Sequence, residues 1–176
     1  MPPLLATKRL HLRTPQLSDE TNNYALSSNP NVMRFITGGK IQTPKEARAD
    51  LERRIRISQT QAKKGLGYWF ADEKDTGHFV GWFVLNYLDA TDEIEIGYRL
   101  LEEKWNMGYA TEGSKAILHY AFQELQLPEI VAVALPANIA STKVMQKLGM
   151  QFMKEAVFYG ATCAYYRISM QDWSNA

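Results

Sequence analysis

The chain has 176 residues, 45% of them hydrophobic, which is enough for one domain with a sizeable core and too little to expect two. Its 20 basic and 19 acidic residues give a formal net charge of +1, so no global electrostatic argument favours a nucleic acid or a membrane as partner. The single cysteine, Cys163, excludes an internal disulfide and a cysteine-cluster metal site. We expect one domain over residues 1–176 and no bound metal.

The amino terminus predicts no targeting segment. It lacks a basic region followed by an apolar one, and no apolar run in the chain approaches the ~18 residues needed to cross a bilayer. We therefore expect a soluble cytoplasmic protein, monomeric or homodimeric, without direct contact to membranes or nucleic acids.

The first third of the chain predicts one strand and three helices. Residues 6–14 alternate apolar and polar side chains, as in a half-buried strand. Short helices begin at Ser18 and at Asn29, where a capping residue precedes acidic residues or a proline. The longest helix begins at the capping box of Thr43 and Glu46. One of its faces carries Ala47, Leu51, Ile55, Ser58 and Ala62.

The other faces of this long helix carry many basic residues. They fit either a solvated helix surface or a patch for an acidic partner, and the pattern leaves both open. These residues are Lys45, Arg48, Arg53, Arg54, Arg56, Lys63 and Lys64.

Three strands follow. Residues 68–71 and 78–88 form the arms of a predicted hairpin that is rich in aromatic side chains. The third strand, residues 93–100, places Ile94 and Ile96 on one face and Glu93 and Glu95 on the other.

The second half of the chain alternates helices and strands. After Gly108 the apolar spacing becomes that of a helix, which extends to Leu125. Residues 130–135 are a continuous apolar run, typical of a strand buried on both faces. A helix capped by Asn138 then ends at Leu148, before a final hairpin of residues 151–159 and 162–170. The predicted order is β, α, α, α, β, β, β, α, β, α, β, β.

The turn at Gly108 predicts an anion-binding site. The first N–H groups of a helix have no partners within it, and the helix dipole is positive there, so a phosphate can bind without a basic side chain. A nucleotide-binding P-loop is the rival interpretation, but Ser114 and Lys115 stand in the reverse order for that motif. Gly113 falls inside the helix, where a small residue would let the helix pack close to the sheet.

Residues 105–112, WNMGYATE, resemble the pyrophosphate loop of the GNAT acetyltransferases, in the RimJ/RimL-like branch. Gly108 and Ala110 match the small residues of that loop, and Trp105 stands at its first position. The segments TKRLHLR, EIGY and NIASTKVMQKLGM resemble other parts of the same branch, so the resemblance covers nearly the whole chain. It implies an α/β (α+β) fold with a mixed, mostly antiparallel sheet of about seven strands and helices on both faces. It also implies that acetyl-CoA binds between two splayed strands.

The resemblance further implies which residues bind acetyl-CoA. The strand backbone at Tyr98, Arg99 and Leu100 would pair with the pantetheine arm, while Asn138 and Ser141 would contact the cofactor from the second helix. The loop amides that would hold the pyrophosphate are those of Met107, Gly108, Tyr109, Ala110 and Thr111.

Direct acetyl transfer needs a proton acceptor for the amine and a proton donor for the departing thiolate. Related enzymes place a tyrosine donor one turn after Ser141, but Met145 occupies that position, which leaves Ser141 as the candidate acid. Asn138 and Ser141 also fit a plain helix cap. Glu95 is the candidate base, with a structural carboxylate as the alternative. A carboxylate removes a proton more readily from an α-amine, with a pKa of about 7.7–8.0, than from a lysine, with a pKa of about 10.4. A protein N-terminus or a small amine is therefore the expected acceptor.

Two functions fit these residues. One is an acetyl-CoA-dependent N-acetyltransferase, and the other is a non-catalytic acyl-CoA-binding sensor with the same fold. The loop amides and Asn138 fit both, whereas Glu95 and Ser141 fit the enzyme better. Release of free thiol from acetyl-CoA in the presence of varied amines would distinguish them.

Overall fold

A single mixed sheet of eight strands organises the protein. The computed structural model describes residues 2–174. The strand order is β1-β2-β3-β4-β5-β6-β8-β7, and all neighbours are antiparallel except β5 and β6, which are parallel. The strands are β1 (Leu5–Ala6), β2 (Leu10–Arg13), β3 (Gly67–Glu73), β4 (Phe79–Tyr87), β5 (Ile94–Leu100), β6 (Glu129–Ala134), β7 (Gln151–Phe158) and β8 (Ala161–Ser169). This architecture confirms the expected fold class, with eight strands instead of about seven.

The eighth strand arises because a tight turn at Thr7 splits the predicted first strand. The Thr7 N–H donates to the Leu10 carbonyl, and the Thr7 hydroxyl accepts the Leu10 N–H, both at 2.9 Å. The chain therefore folds back, and Leu5 pairs with Leu12. Leu10 and Leu12 are fully buried while His11 between them is exposed, as the alternation predicts.

Helices cover both faces of the sheet, as expected. The bounds are α1 (Glu20–Ser27), α2 (Pro30–Thr37), α3 (Pro44–Thr60), α4 (Tyr109–His119), α5 (Ile139–Lys147) and a short α6 (Met170–Ser174). The first three pack on one face and the last three on the other. The sequence did not predict α6, whose Trp173 packs against Phe122. Within residues 2–174, no helix combines the length and the apolar character needed to cross a membrane.

The long helix α3 begins as predicted but buries one residue that was assigned to its outer surface. Thr43 and Glu46 exchange the two hydrogen bonds of a capping box. The prediction that Arg54 faces solvent is wrong, because its side chain is only 2% exposed. Asp50 binds Arg54 at 2.6 Å, and the Asn23 side-chain oxygen accepts a further bond at 3.0 Å. These partners make the burial of a charge tolerable.

Gly113 lets α4 approach the sheet closely, as predicted. A Cβ atom at this position would lie 2.2 Å from the Phe83 ring on β4. Ile117 and Leu118, one turn further on, are fully buried against the sheet. The helix continues as one wider turn over Tyr120–Glu124.

The two parallel strands separate soon after they meet. Their one register pair is Glu95 with Val131, whereas β4 accompanies β5 along its whole length. The prediction that residues 130–135 are buried on both faces is right for Ile130 and Val131, but beyond Ala132 the side chains are partly exposed. The reason is that β5 no longer lies beside β6 there. We call the gap between residues 97–100 and 133–134 the wedge.

Candidate active site

The wedge leads to an uncapped helix N-terminus. Gly108 precedes α4 in the left-handed conformation, with φ of 83°, and no side chain caps the helix. The first helical hydrogen bond runs from the Glu112 N–H to the Gly108 carbonyl at 3.0 Å. Within residues 2–174, the N–H groups of Gly108, Tyr109, Ala110 and Thr111 have no protein acceptor. Four consecutive residues thus present the free donors and positive dipole that an anion needs.

Arg9 adds a positive charge to this turn that the sequence patterns did not reveal. Its Nε donates to Glu112 at 2.7 Å, and its guanidinium lies 4.3 Å from the centre of the Tyr109 ring. A Cβ atom placed on Gly108 would meet Arg9 Nη2 at 3.4 Å. Glu112 also accepts the Thr7 hydroxyl at 2.5 Å. The opening segment of the chain therefore holds the first turn of α4 and places a guanidinium beside the free amides.

One edge of β5 is open along the wedge. Leu88 N–H donates to Glu93 at one end of the β4–β5 ladder, and Leu101 N–H donates to Val80 at the other, at 2.9 and 3.0 Å. In an antiparallel ladder such pairs alternate, so the odd-numbered residues of β5 bond to β4 and the even-numbered residues point their backbone groups toward β6.

Of the three strand residues predicted to bind the cofactor through their backbone, two therefore face the wedge. Tyr98 and Leu100 present backbone groups there, although the Leu100 carbonyl already accepts the Trp105 indole N–H at 3.0 Å. The Arg99 backbone bonds to β4, and its side chain lies on the α1–α3 face of the sheet. Of these two residues, Tyr98 lies nearer to the Glu95–Val131 pair at which the strands part.

Two hydroxyl groups meet across the wedge on the α4–α5 face. Tyr98 Oη and Ser141 Oγ lie 3.3 Å apart. Burial raises the pKa of Tyr98, so its phenol is protonated at neutral pH. The Asn138 side chain accepts the Ser141 N–H at 3.3 Å and thereby caps α5. Asn138 therefore has a structural role as the cap of α5, and its bond holds the helix turn that carries Ser141.

Glu95 lies on the opposite face of β5, at the point where β5 and β6 part. It is half-buried, and the Tyr159 hydroxyl donates a short hydrogen bond to its Oε2. Burial raises the pKa of Glu95 to about 7, the Tyr159 hydrogen bond opposes this rise, and the nearby Asp89 charge adds to it. A carboxyl group that titrates near neutral pH suits a general base.

Tyr159 is a second residue that sequence reasoning missed. It lies at the β7–β8 turn with a positive φ of 52°, and its N–H donates to Asp89 at 2.6 Å. Its only local signal was the Tyr159-Gly160 turn, which says nothing about the distant strand that it reaches. The final hairpin thus holds the candidate base in place.

Nothing else in the described chain competes for this role. A cavity between α4, α5 and Trp173 is lined by Lys115, His119 and Lys147, and it contains none of the predicted site residues. Within residues 2–174, no group of three or more His, Cys, Asp or Glu side chains could hold a metal ion. The candidate site is therefore the wedge and the adjoining α1–α3 face at Glu95.

The fold and this site define an acyl-CoA-dependent transferase class, and comparison with known proteins identifies the family. Residues 9–151 match the family described as the acetyltransferase (GNAT) domain. The chain is 30% identical to the N-acetyltransferase YnaD of Bacillus subtilis over 176 residues, covering 97% of this chain and 99% of that one. The chain therefore belongs to the GNAT family and is an acetyl-CoA-dependent acetyltransferase.

Solved acetyltransferase structures share the fold of this chain. A GNAT-family acetyltransferase from Bacillus anthracis superimposes with a TM-score of 0.82 at 23% identity, covering 96% of this chain and 99% of that one. The ribosomal alpha-N-protein acetyltransferase RimL, in complex with coenzyme A, gives a TM-score of 0.76 at 15% identity, covering 95% and 98%. At these identities the likeness shows the fold.

Proposed function

We propose that the protein transfers an acetyl group from acetyl-CoA to a primary amine by direct attack, with Glu95 as the general base. The observation that carries this proposal is the half-buried Glu95 carboxyl, which has a pKa of about 7 and lies where β5 and β6 separate. The preferred acceptor is the α-amine of a protein or peptide, as in the RimJ/RimL-like branch, and a small amine is the second choice. RimL, which shares this fold, is an alpha-N-protein acetyltransferase, in agreement with this order.

The chain offers a binding surface that fits acetyl-CoA. The free amides from Gly108 to Thr111 and the Arg9 guanidinium would hold the pyrophosphate, because each presents a donor or a positive charge at one turn. Tyr98 would pair with the pantetheine arm through its free backbone groups. Its N–H would also stabilise negative charge that develops on the thioester oxygen. When bound, acetyl-CoA supplies the activated acyl group.

The Glu95 carboxylate would take the proton from the attacking amine. With a pKa of about 7 it is half ionised at neutral pH, and it is closer to an α-amine at about 7.7–8.0 than to a lysine at about 10.4. A glutamate with an unshifted pKa would be a weaker base. Burial of Glu95 therefore favours the catalytic assignment over a structural one.

The paired hydroxyls of Ser141 and Tyr98 would supply the proton to the departing thiolate. Met145, where related enzymes carry a tyrosine, cannot donate. Because Tyr98 Oη lies 3.3 Å from Ser141 Oγ, a phenol reaches the same neighbourhood from β5. Ser141 would act as the immediate donor, with Tyr98 behind it.

Acetyl transfer is tested by the release of free thiol from acetyl-CoA with peptides, polyamines and small amines as acceptors. Ser141→Ala and Tyr98→Phe should each lower kcat and leave the acetyl-CoA Kd nearly unchanged, because the donor acts mainly in the transition state. Thr142→Ala is the matched control, since the Thr142 hydroxyl donates only to the Ile139 carbonyl of its own helix.

The outcomes separate the alternatives. If Ser141→Ala weakens acetyl-CoA binding more than it lowers kcat, Ser141 is a cofactor contact and not an acid. Tight acetyl-CoA binding without transfer to any amine would favour the sensor and refute the proposal.

A further inference from the structure

The α1–α3 face of the sheet carries a cluster of guanidinium groups beside the candidate active site. The Arg54 and Arg99 guanidiniums lie 4.7 and 5.0 Å from the centre of the Trp82 ring. Arg53 and Arg54 share one carboxylate, that of Asp50, at 2.7 and 2.6 Å. Three guanidiniums are thus balanced by a single carboxylate.

Arg99 is the member of this cluster without a counterion. Within residues 2–174, no carboxylate lies within ion-pairing distance of it, and its one side-chain hydrogen bond is a weak bond from Nη1 to the Met33 sulfur at 3.6 Å. Its Nε is buried and has no acceptor in the described chain. Burial, and then the charge of Arg54, lower the pKa of Arg99 to about 10. Burial of a charge without a partner is costly, and the half-buried Arg99 therefore offers a positive charge that a ligand anion can neutralise.

Several buried polar atoms along this face have no hydrogen-bond partner in the described chain, and acceptors and donors lie at different ends of it. At the Glu95 end lies an acceptor, the buried Asn86 Oδ1, on the residue that pairs with Glu95 across the ladder. At the Arg99 end lie donors, namely Arg99 Nε, Arg54 Nε and Trp82 Nε1. One end therefore fits an ammonium or amine group and the other fits an anion.

The strand geometry places both ends on one surface. Glu95 and Arg99 are both odd-numbered residues of β5, so their side chains share a face, with Cα atoms about 13 Å apart along the strand. Gly97 lies between them and adds no side chain to this surface, although the Val84 side chain of β4 lies beside it. A ligand that reaches both ends must carry its amine and its anion several bonds apart.

We propose that the acceptor is a primary amine that also carries a carboxylate or phosphate group, and that Arg99 binds this anion while the amine lies at Glu95. The inference rests on the proposed acetyltransferase function and names its substrate class. An acidic peptide or a phosphorylated amine has this chemistry.

Matched acceptor pairs test the proposal. One pair is a dipeptide with a free C-terminal carboxylate and the same dipeptide as its amide, and the other is phosphoethanolamine and ethanolamine. The wild type should prefer the anionic member of at least one pair by about tenfold or more in kcat/KM. The pair that shows the preference tells whether the anion is a carboxylate or a phosphate.

Variants assign the preference to Arg99. Arg99→Gln should lower kcat/KM for the anionic member roughly 10- to 100-fold, mainly through KM, and leave the neutral member and the acetyl-CoA Kd unchanged. Arg99→Lys keeps the charge and should restore part of the preference. Arg56→Gln, which removes an exposed charge from α3, should behave as wild type.

Where an acceptor is acetylated, two results would overturn the proposal. One is a wild type that uses both members of each pair equally, and the other is an Arg99→Gln variant that affects both members to the same extent, as a structural role requires. If no acceptor is acetylated, the proposed function fails separately. Glutarate and inorganic phosphate are then tested for a Tm shift. A shift in wild type that Arg99→Gln abolishes would keep the anion site, and its absence would refute it.

Discussion

Replacement of Glu95 by glutamine tests the proton acceptor most sharply. Burial raises the pKa of Glu95 to about 7, and glutamine keeps the size of the side chain but cannot accept a proton. The informative acceptor is a peptide whose only free amine is a lysine side chain, because that amine stays protonated up to about pH 10. With this acceptor, a proton must be removed throughout the assay range.

The pKa sets the size of the effect. A group with a pKa of about 7 is ~90% ionised at pH 8 and ~10% ionised at pH 6, so wild-type kcat/KM should fall about tenfold between them and level off above pH 7. In Glu95→Gln only the rare neutral amine reacts, so kcat/KM should rise about tenfold per pH unit up to pH 9 without a break. The kcat/KM of the variant should therefore be ~100-fold or more below wild type at pH 7, and this difference should shrink as the pH rises.

The assay is initial-rate thiol release at subsaturating acceptor from pH 5.5 to 9, with the acetyl-CoA Kd measured at each pH as a control. A wild-type profile without a break near pH 7 would refute the assignment of Glu95 as base. So would a variant profile parallel to wild type and displaced by less than about threefold, which would leave solvent as the proton acceptor.

The same pKa predicts a pH-dependent effect on stability that does not depend on turnover. The pKa of Glu95 is 4.5 in the unfolded chain and about 7 in the folded protein. Between these pH values the folded state therefore holds a proton on Glu95 that the unfolded state has lost. Its contribution to stability is complete below about pH 4.5 and is lost as the pH rises to about 7, by at most about 3 kcal/mol. Glu95→Gln should therefore raise Tm, relative to wild type, more at pH 8 than at pH 5. An equal Tm difference at both pH values would contradict the raised pKa.

Three further substitutions probe other parts of the site. Gly108→Asp puts a negative charge beside the free amides of α4, so the acetyl-CoA Kd measured by calorimetry should rise at least about 100-fold. Gly77→Asp, at a turn with a similar positive φ and open space around it, is the control, and equal affinity in both variants would remove the anion-site assignment. Tyr159→Phe removes the hydrogen bond that lowers the pKa of Glu95, so the break in the pH profile should move to higher pH, and an unmoved break would show that this bond is unimportant. Gly113→Val forces a side chain into the aromatic ring beneath it, so the free energy of unfolding from urea titration should fall by at least about 1–3 kcal/mol, and an unchanged value would mean that α4 is free to shift.

The buried stripe of α3 shows how far sequence patterns reach. Ala47, Leu51, Arg54 and Ser58 recur at spacings of four, three and four, and all four are buried. The helical period alone therefore predicts a buried Arg54, whereas its charge predicts an exposed side chain. An arginine on a buried stripe needs a partner in the core, and Asp50 supplies it from one turn before.

The contacts that define the candidate site were beyond sequence reasoning for a different reason. Tyr159 reaches Glu95 from 64 positions away, and Arg9 reaches Glu112 from 103. Local periodicity identifies the strand, the helix and the glycine turn, because their signals lie within a few residues. Local periodicity does not show which distant hairpin packs beside a given strand. The order of the strands in the sheet determines this packing.

The alternation along β5 explains how one short strand serves both halves of an acetyl transfer. Even-numbered Tyr98 points toward α5 and the proposed proton donor Ser141, while odd-numbered Glu95 and Arg99 point toward the proposed acceptor site under α1–α3. The two groups of side chains therefore approach the wedge from opposite faces of the sheet. Because side chains alternate at every residue, insertion of a single residue between Glu95 and Tyr98 would move the hydroxyl to the acceptor face. The separation of base and acid thus depends on strand register, which the continuous β4–β5 pairing fixes from residue 94 to residue 100.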